Sequence, residues 1–455
     1  MGENGDGDAN GAAITLGELA AGAAGNSPVS TDPFWWQDAA IEREHVSLTR
    51  AKADIVVIGA GFTGLSAALV LARAGRQVLV VDAGVPGFGA STRNGGQVGS
   101  GNQKFRIKTL IAMKGERMAT ELLREGVEML DGIERFIHEE KIDCSFTRCG
   151  RFRGAMRPAH YDAIARDMED LRRYAGVESH MIPRREQVSE IGTDVFYGGA
   201  LLPMDGSLHP GKYHAGLMVR VREAGAIVHG GMPVQHIAQE TKGHVLLIEG
   251  GQEIRARDVL VATNGYSAGL GEFFQTRIVP VASAQITTAA IPKSLFDKLM
   301  PTRRVYGNSN RVFFYFRSAP QEDRLIWGGR ASHIVPSSRA AAYAHLARDL
   351  LHTFPMLRDI AVSHAWDGLI GYTFDEFPHL GRSPQGVYFA MGYCGTGVSR
   401  STHFGRKIAL KILGDPQGRS AFDGLDFPSH PFHPLAKAAV PIVEAWYRLR
   451  DIANI

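Results

Sequence analysis

Apolar positions along the chain fall into two kinds of run. Short continuous β-branched runs, Asp54-Ile55-Val56-Val57-Ile58 and Gln77-Val78-Leu79-Val80-Val81, suit strands buried on both faces of a parallel sheet. Between them lie the turn from Gly59 to Gly64 and a helical stretch over 65–74 that stops at Gly75, which makes a βαβ unit of about 30 residues. Farther on, helices are predicted over 107–141, 211–225, 343–354 and 401–413. Strands are predicted over 226–229, 245–249, 259–262 and 387–391, with Gly250-Gly251 as a hairpin turn. Residues 277–329 are strand-rich, 312–316 most clearly, whereas 152–203 show no clear unit.

Composition narrows the class. The chain has 455 residues, 44% hydrophobic and 21% charged, which is ordinary globular usage. Its 50 Lys+Arg against 47 Asp+Glu leave a net charge of +3 with interspersed signs, so no nucleic-acid footprint is expected. Cys144, Cys149 and Cys394 cannot build a disulfide framework and have no histidines at zinc spacing; no metal site is expected. No Lys or Arg precedes Arg43, so the start lacks the basic region of a secretory signal. Residues 55–72 carry no charge, yet three glycines in six residues mark a turn rather than a membrane helix. The expectation is a cytoplasmic protein without a transmembrane segment.

The Gly59-Ala60-Gly61-Phe62-Thr63-Gly64 turn has strand before it and helix after it, the context a dinucleotide fingerprint requires. The helix start offers free N–H groups to a diphosphate. Asp82, at the end of the second strand, is placed to accept hydrogen bonds from ribose hydroxyls. The turn alone does not separate NAD from FAD. The loop Gly89-Ala90-Ser91-Thr92-Arg93-Asn94-Gly95-Gly96-Gln97 suits backbone laid tightly along a cofactor, with Arg93 available to a phosphate or carbonyl oxygen. A plain NAD-dependent dehydrogenase has no use for it. Met391-Gly392-Tyr393-Cys394-Gly395-Thr396-Gly397-Val398 repeats the strand, turn and helix logic near the far end.

Together with Ala262-Thr263-Asn264-Gly265-Tyr266, Trp327-Gly328-Gly329, Trp366-Asp367-Gly368 and the stretch from Thr373 to Gly381, these pieces resemble the FAD-dependent amine and amino-acid oxidases related to D-amino acid oxidase. The resemblance spans 54 to about 415. It implies an α/β fold, in which a glutathione-reductase-like FAD-binding domain with a Rossmann-type βαβ unit carries an inserted antiparallel-sheet substrate domain. FAD-binding parts are expected over 46–150, 206–270 and 366–415, and substrate parts over 151–205 and 271–365. A disordered or extended tail is expected over 1–45 and a helical extension over 416–455, amphipathic between Leu435 and Ile452. Implied FAD contacts are Gly59, Gly61, Phe62, Thr63, Gly64, Asp82, Ala90, Ser91, Arg93, Asn94, Gly95, Gly96, Gln97, Thr263, Asn264, Gly265, Gly392, Gly395, Thr396, Gly397 and Val398. Covalent attachment in relatives uses a cysteine or an early histidine. No His occurs between His45 and His138, and Cys394 sits inside a glycine turn, so FAD is expected to be non-covalent.

The resemblance further implies flavin-centred oxidation of a C–N bond in an amine, by hydride transfer, with O₂ reduced to H₂O₂. The alternative is a dehydrogenase subunit that passes electrons to a quinone or partner protein. Ile370 stands where amino-acid oxidases place an arginine for the substrate carboxylate, and Cys394 and Thr396 stand where a related member is expected to have Ser and His. An apolar side chain cannot pair with a buried carboxylate, so the expected substrate is a gamma-glutamylated or other amine whose carboxylate, if any, is remote from the reacting nitrogen. Tyr315, Trp327, Trp366 and Tyr372 are candidates for aromatic walls, although each would serve equally as a core residue. Arg330 is a candidate for a remote carboxylate, and His333 and His379 for hydrogen bonds to substrate or flavin. Asp375 reads as a turn former and Cys394 as a small filler. Oligomeric state stays open, with a homo-oligomer among the readings.

Overall fold

A computed structural model describes residues 13–23, 29–41, 51–100, 105–331, 339–430, 433 and 446. Five parallel strands run side by side in the order Ile227–His229, Val78–Val81, Lys52–Ile58, Glu253–Val261 and Tyr388–Met391. His379–Arg382 adds an antiparallel edge, and the hairpin of Val234–Glu240 and Gly243–Ile248 pairs onto Glu253–Val261. The chain's first β-branched run lies in the middle. Its neighbours leave to opposite sides, which opens a crevice at the carboxyl ends of the strands. Helices Phe62–Arg73 and Gly397–Leu413 pack against each other over this sheet.

The second sheet has eight strands in the order Val362–Tyr372, Val279–Thr288, Leu325–Arg330, Tyr315–Ser318, Val305–Asn308, Arg151–Gly154, Gly199–Leu202 and His180–Ile182. It is antiparallel, as expected, except where Val305–Asn308 runs parallel to Arg151–Gly154 and joins two distant blocks of chain. Successive residues of a strand point to opposite faces. One register row, Phe152, Tyr306, Phe316, Trp327 and Ile286, builds an aromatic core, where Trp327 stacks on Phe316 at 4.4 Å. The next row, Arg153, Gly307, Tyr315, Gly328 and Gln285, lies on the other face.

Several expectations change. The helix predicted over 107–141 is two helices, Ile107–Lys114 and Glu116–Glu139, broken at Gly115 with φ of 79°. The helix Pro158–Ala175 lies in the stretch that showed no clear unit; Pro158 at its first turn and Gly176, left-handed at φ 66°, are the signals that mark it. Within 312–316 only Tyr315 and Phe316 are strand, because the strand is Tyr315–Ser318. The strand Val362–Tyr372 continues past the boundary expected at 366.

The tail expected to be disordered or extended carries a short helix and buried side chains among its described residues. Thr15 caps the helix Leu16–Ala20 in a capping box with Glu18, and Ile14, Leu16 and Leu19 are buried against Arg339–Thr353. Its Gly/Ala-rich composition concealed three apolar side chains that share one side. Phe34, Trp35 and Trp36 are buried as well. The amphipathic stretch from Leu435 to Ile452 lies outside the described residues apart from Trp446, which is exposed. Among the described residues no helix is long and apolar enough to cross a membrane.

Buried Glu125 ties Glu116–Glu139 to Gly397–Leu413 and to the turn that follows it. It accepts from His403 Nε2 at 2.8 Å, Ser420 Oγ at 2.7 Å and Ala421 N at 2.6 Å. Burial alone would raise this carboxyl's pKa, but the hydrogen bonds from His403, Ser420 and Ala421 together outweigh it and hold it below its ordinary 4.5. The carboxylate therefore stabilises the fold above about pH 4.5, and that stabilisation is lost as pH falls through the lower folded value. Glu125→Gln is expected to be less stable than the parent by about 1–3 kcal/mol at neutral pH, seen as a lower thermal midpoint, with a gap to the parent that closes under acid conditions.

Candidate active site

The crevice at the ends of the parallel strands continues into a cavity of about 820 Å³ that reaches the polar face of the second sheet. Its upper wall is the first glycine turn. Gly59 adopts φ of 104°, open to glycine and closed to most other residues. A Cβ on Gly64 would lie 1.9 Å from the Gly59 carbonyl oxygen, so only glycine lets the helix Phe62–Arg73 start this close to the strand. No side chain of its own first turn caps that helix.

Side chains from distant segments hold the backbone around this turn. Asp82 accepts the Ala60 N–H at 2.8 Å and the Gly84 N–H at 3.0 Å, so it closes the turn as well as lining the cavity. Ser91 Oγ accepts the Phe62 N–H at 2.9 Å and joins the second loop to the first. Asn264 Oδ1 accepts the Gly392 N–H at 2.9 Å, and Thr63 shares a 2.7 Å hydrogen bond with Tyr393. Of the implied FAD contacts, Gly64, Gly265 and Gly392 do not line the cavity; all the others do.

Arg93 is engaged otherwise than with a phosphate. Its Nε donates to the Phe88 carbonyl at 2.7 Å and its Nη1 to the Asp367 carbonyl at 2.9 Å, with the guanidinium over the rings of Phe88 and Trp36. Trp35 Nε1 donates to the Asn94 carbonyl and Trp36 Nε1 to Thr92 Oγ1, each at 2.8 Å. The N-terminal tryptophans thus brace the cofactor-type loop, a role that sequence reading assigned to no residue before position 59.

The second sheet supplies the floor. Tyr315, Arg330, Tyr372 and Ile370 line the cavity. Arg330 Nη2 donates to the Tyr372 hydroxyl at 3.0 Å, and its guanidinium lies 4.7 Å over that ring. Trp327 and Trp366 do not line it. Trp327 belongs to the buried register row, and Trp366 packs beside Phe34 and Trp35 while its Nε1 donates to the Arg93 carbonyl at 3.0 Å. His379 is buried away from the cavity, paired with Asp375 at 3.0 Å and stacked on Phe427. Cys394 lies behind the wall at φ of 49°, its thiol against the Gly392 carbonyl. His333 lies outside the described residues. Residues that sequence reading missed include Gln285, Ser283, Arg151 and Arg153. The alternation Arg151-Phe152-Arg153-Gly154, with charge on every second position of a strand, was the available signal.

The arrangement fits a dinucleotide with an attached ring system. Gly61 brings no capping side chain of its own, and although Ser91 takes the Phe62 N–H, the rest of the helix start and the bare Gly59–Gly61 backbone suit a diphosphate. At the other end Gln285 Oε1 is a buried acceptor with no donor among the described residues, and it lies beside Gly95. An isoalloxazine carries the N–H that such an acceptor lacks. Consistent with this chemistry, the family model described as FAD dependent oxidoreductase (DAO) matches residues 54–410. The chain belongs to that family. It is 31% identical to gamma-glutamylputrescine oxidoreductase of Escherichia coli (strain K12), over 88% of this chain and 92% of that one. It is 30% identical to the probable oxidoreductase OrdL of Haemophilus influenzae, over 83% and 86%. In fold it is similar to glycine oxidase of Geobacillus kaustophilus, with a TM-score of 0.69 at 20% identity over 84% of this chain and 99% of that one. As a family member, it is an FAD-dependent amine or amino-acid oxidoreductase.

Gly64→Ala is expected to yield protein with well under half the flavin of the parent, because its Cβ would meet backbone at 1.9 Å. Gly132→Ala, in a helix with nothing within 4 Å of the added Cβ, is expected to keep its flavin. The ratio of visible to ultraviolet absorbance of the purified variants checks both.

Proposed function

We propose that the protein oxidises a C–N bond of an amine, of the gamma-glutamylputrescine kind, on a non-covalently held FAD. The observation that carries this reading is the contact between loop and floor. A Cβ on Gly95 would lie 2.8 Å from the Tyr315 ring and 3.4 Å from Gln285 Oε1, so the dinucleotide cradle and the second sheet form one continuous cavity. FAD would be held by the Gly59–Gly64 turn, Asp82, the loop from Ala90 to Gln97 and the Gly395–Val398 turn. When bound, FAD supplies the acceptor for the hydride that leaves the carbon beside nitrogen.

The chain's own residues set the amine's protonation and position. Phe313, Tyr315, Leu369, Ile370 and Tyr372 line the substrate side, and this apolar wall disfavours a protonated amine by desolvation. The fixed Arg330 cation in the same cavity disfavours a second positive charge, and both effects favour the neutral amine, whose lone pair assists hydride loss. Burial raises the Tyr315 pKa, only partly offset by a hydrogen bond with Ser283, so the phenol stays protonated at neutral pH as a neutral hydrogen-bonding group. Ile370 offers no charge to a carboxylate beside the reacting carbon, which supports an amine over an α-amino acid. Leu369 and Ile370 also keep water from the reacting carbon, and the imine formed there hydrolyses once it meets solvent.

Anaerobic addition of gamma-glutamylputrescine to the purified yellow protein is expected to bleach the flavin, and admitting air to restore the colour with release of H₂O₂. A spectrum that neither this amine nor a panel of amines and amino acids moves would contradict the proposal. Bleaching without reoxidation in air would move the electron acceptor to a quinone or partner protein.

A further inference from the structure

The register row on the polar face of the second sheet runs from Gln285 through Gly328, Tyr315 and Gly307 to Arg153. Residues opposite one another on neighbouring strands share a face. Tyr315 lies over Gly328, where a Cβ would meet its ring at 2.3 Å. On the other side of Tyr315 the floor is bare. A Cβ on Gly307 would meet nothing nearer than the Phe314 carbonyl oxygen at 3.8 Å. Beyond this gap stands Arg153, two strand spacings or about 10 Å from Tyr315.

The charges at this end are unbalanced. Arg151 is neutralised, because its Nε donates to Asp205 at 2.7 Å and its Nη1 to Gln97 at 2.8 Å. Arg153 lines the same cavity, yet no hydrogen bond or ion pair from the described residues holds its guanidinium. Burial lowers its pKa, and the more distant Asp167 compensates only in part. A mostly buried cation without a partner is costly, and a planar guanidinium fork matches a carboxylate. Met168, Leu171 and Leu202 line the cavity here together with the polar Gln97, Ser100 and Asn308, and Arg106 acts on Arg153 as a further cation. Arg106, Arg151 and Arg153 against Asp167 and Asp205 leave one net positive charge, which suits a monoanion better than a phosphate.

We infer that Arg153 is the anchor for a carboxylate carried on the amine substrate, about 10 Å from the nitrogen that reacts near Gly95 and Tyr315. Gly307 leaves the bare floor along which the connecting chain lies. The inference rests on the proposed oxidation of an amine at that end of the cavity. It identifies the substrate class as long amines with a distal carboxylate, and it makes Arg153 the residue that determines specificity.

The test titrates the FAD-loaded protein anaerobically with gamma-aminobutyrate, epsilon-aminohexanoate, omega-aminooctanoate and octylamine, and reads binding from perturbation or bleaching of the flavin spectrum. Affinity is expected to rise with chain length, and omega-aminooctanoate to bind at least about tenfold more tightly than octylamine. Arg153→Met is expected to bring the ratio of those two affinities near one, and Arg153→Lys to retain part of the preference. Equal affinity of the parent for the two ligands would overturn the inference, and this outcome needs no variant. So would a ratio that Arg153→Met leaves unchanged, or loss of flavin from that variant, which would place Arg153 at the cofactor. Length-dependent binding without any bleaching would keep the anchor and remove the oxidation, whereas bleaching without carboxylate preference would do the reverse.

Discussion

The strict alternation of faces along the strands of the second sheet is the constraint on which the cavity depends. Phe152, Tyr306, Phe316, Trp327 and Ile286 fill one side with stacked rings, and their immediate neighbours Arg153, Gly307, Tyr315, Gly328 and Gln285 are thereby turned toward the other. The apolar row is buried against the helix Arg339–Thr353, so a slip of one residue would drive Arg153 into that apolar core and turn Trp327 toward the cavity. Core energetics therefore fix the aim of the site residues. The two glycines of the polar row leave room where side chains would otherwise fill the floor.

The nucleotide side follows a different logic, in which backbone forms the surface and side chains stand behind it. Asp82, Ser91 and Asn264 each accept a backbone N–H from a turn that belongs to another segment. Glycine turns are weak as isolated structures, and these bonds hold them in one arrangement. Trp35, Trp36 and Arg93 extend the same support to the loop carrying Gly95, which meets Tyr315 and Gln285. The contact joins the rigid parallel sheet to the sheet that would receive substrate.

Much of this could be read from the sequence, and the reasons differ by element. Parallel strands such as Lys52–Ile58 and Val78–Val81 are apolar on both faces, so their runs are unbroken and the glycine turn between them is unmistakable. The second sheet is apolar on one face only, and its strands are short and drawn from distant blocks. Trp327 and Tyr315 looked alike as aromatic candidates, because nothing local tells which face of the sheet each one meets. Arg151 and Arg153 carried the period of a strand, but their separate fates depend on Asp205, which arrives from another strand end. The N-terminal segment was misread because composition averages over position, and three buried side chains are enough to dock a helix of five residues.

A crystal structure of the FAD-loaded protein with omega-aminooctanoate would test most directly whether one cavity joins the glycine cradle to an amine site on the second sheet. The flavin ring is expected against Gly95 and Gln285, and the ligand laid over Gly307 with its carboxylate on Arg153. A flavin ring away from Gly95, or a ligand whose carboxylate lies at Arg330 with the Gly307 floor empty, would contradict this arrangement.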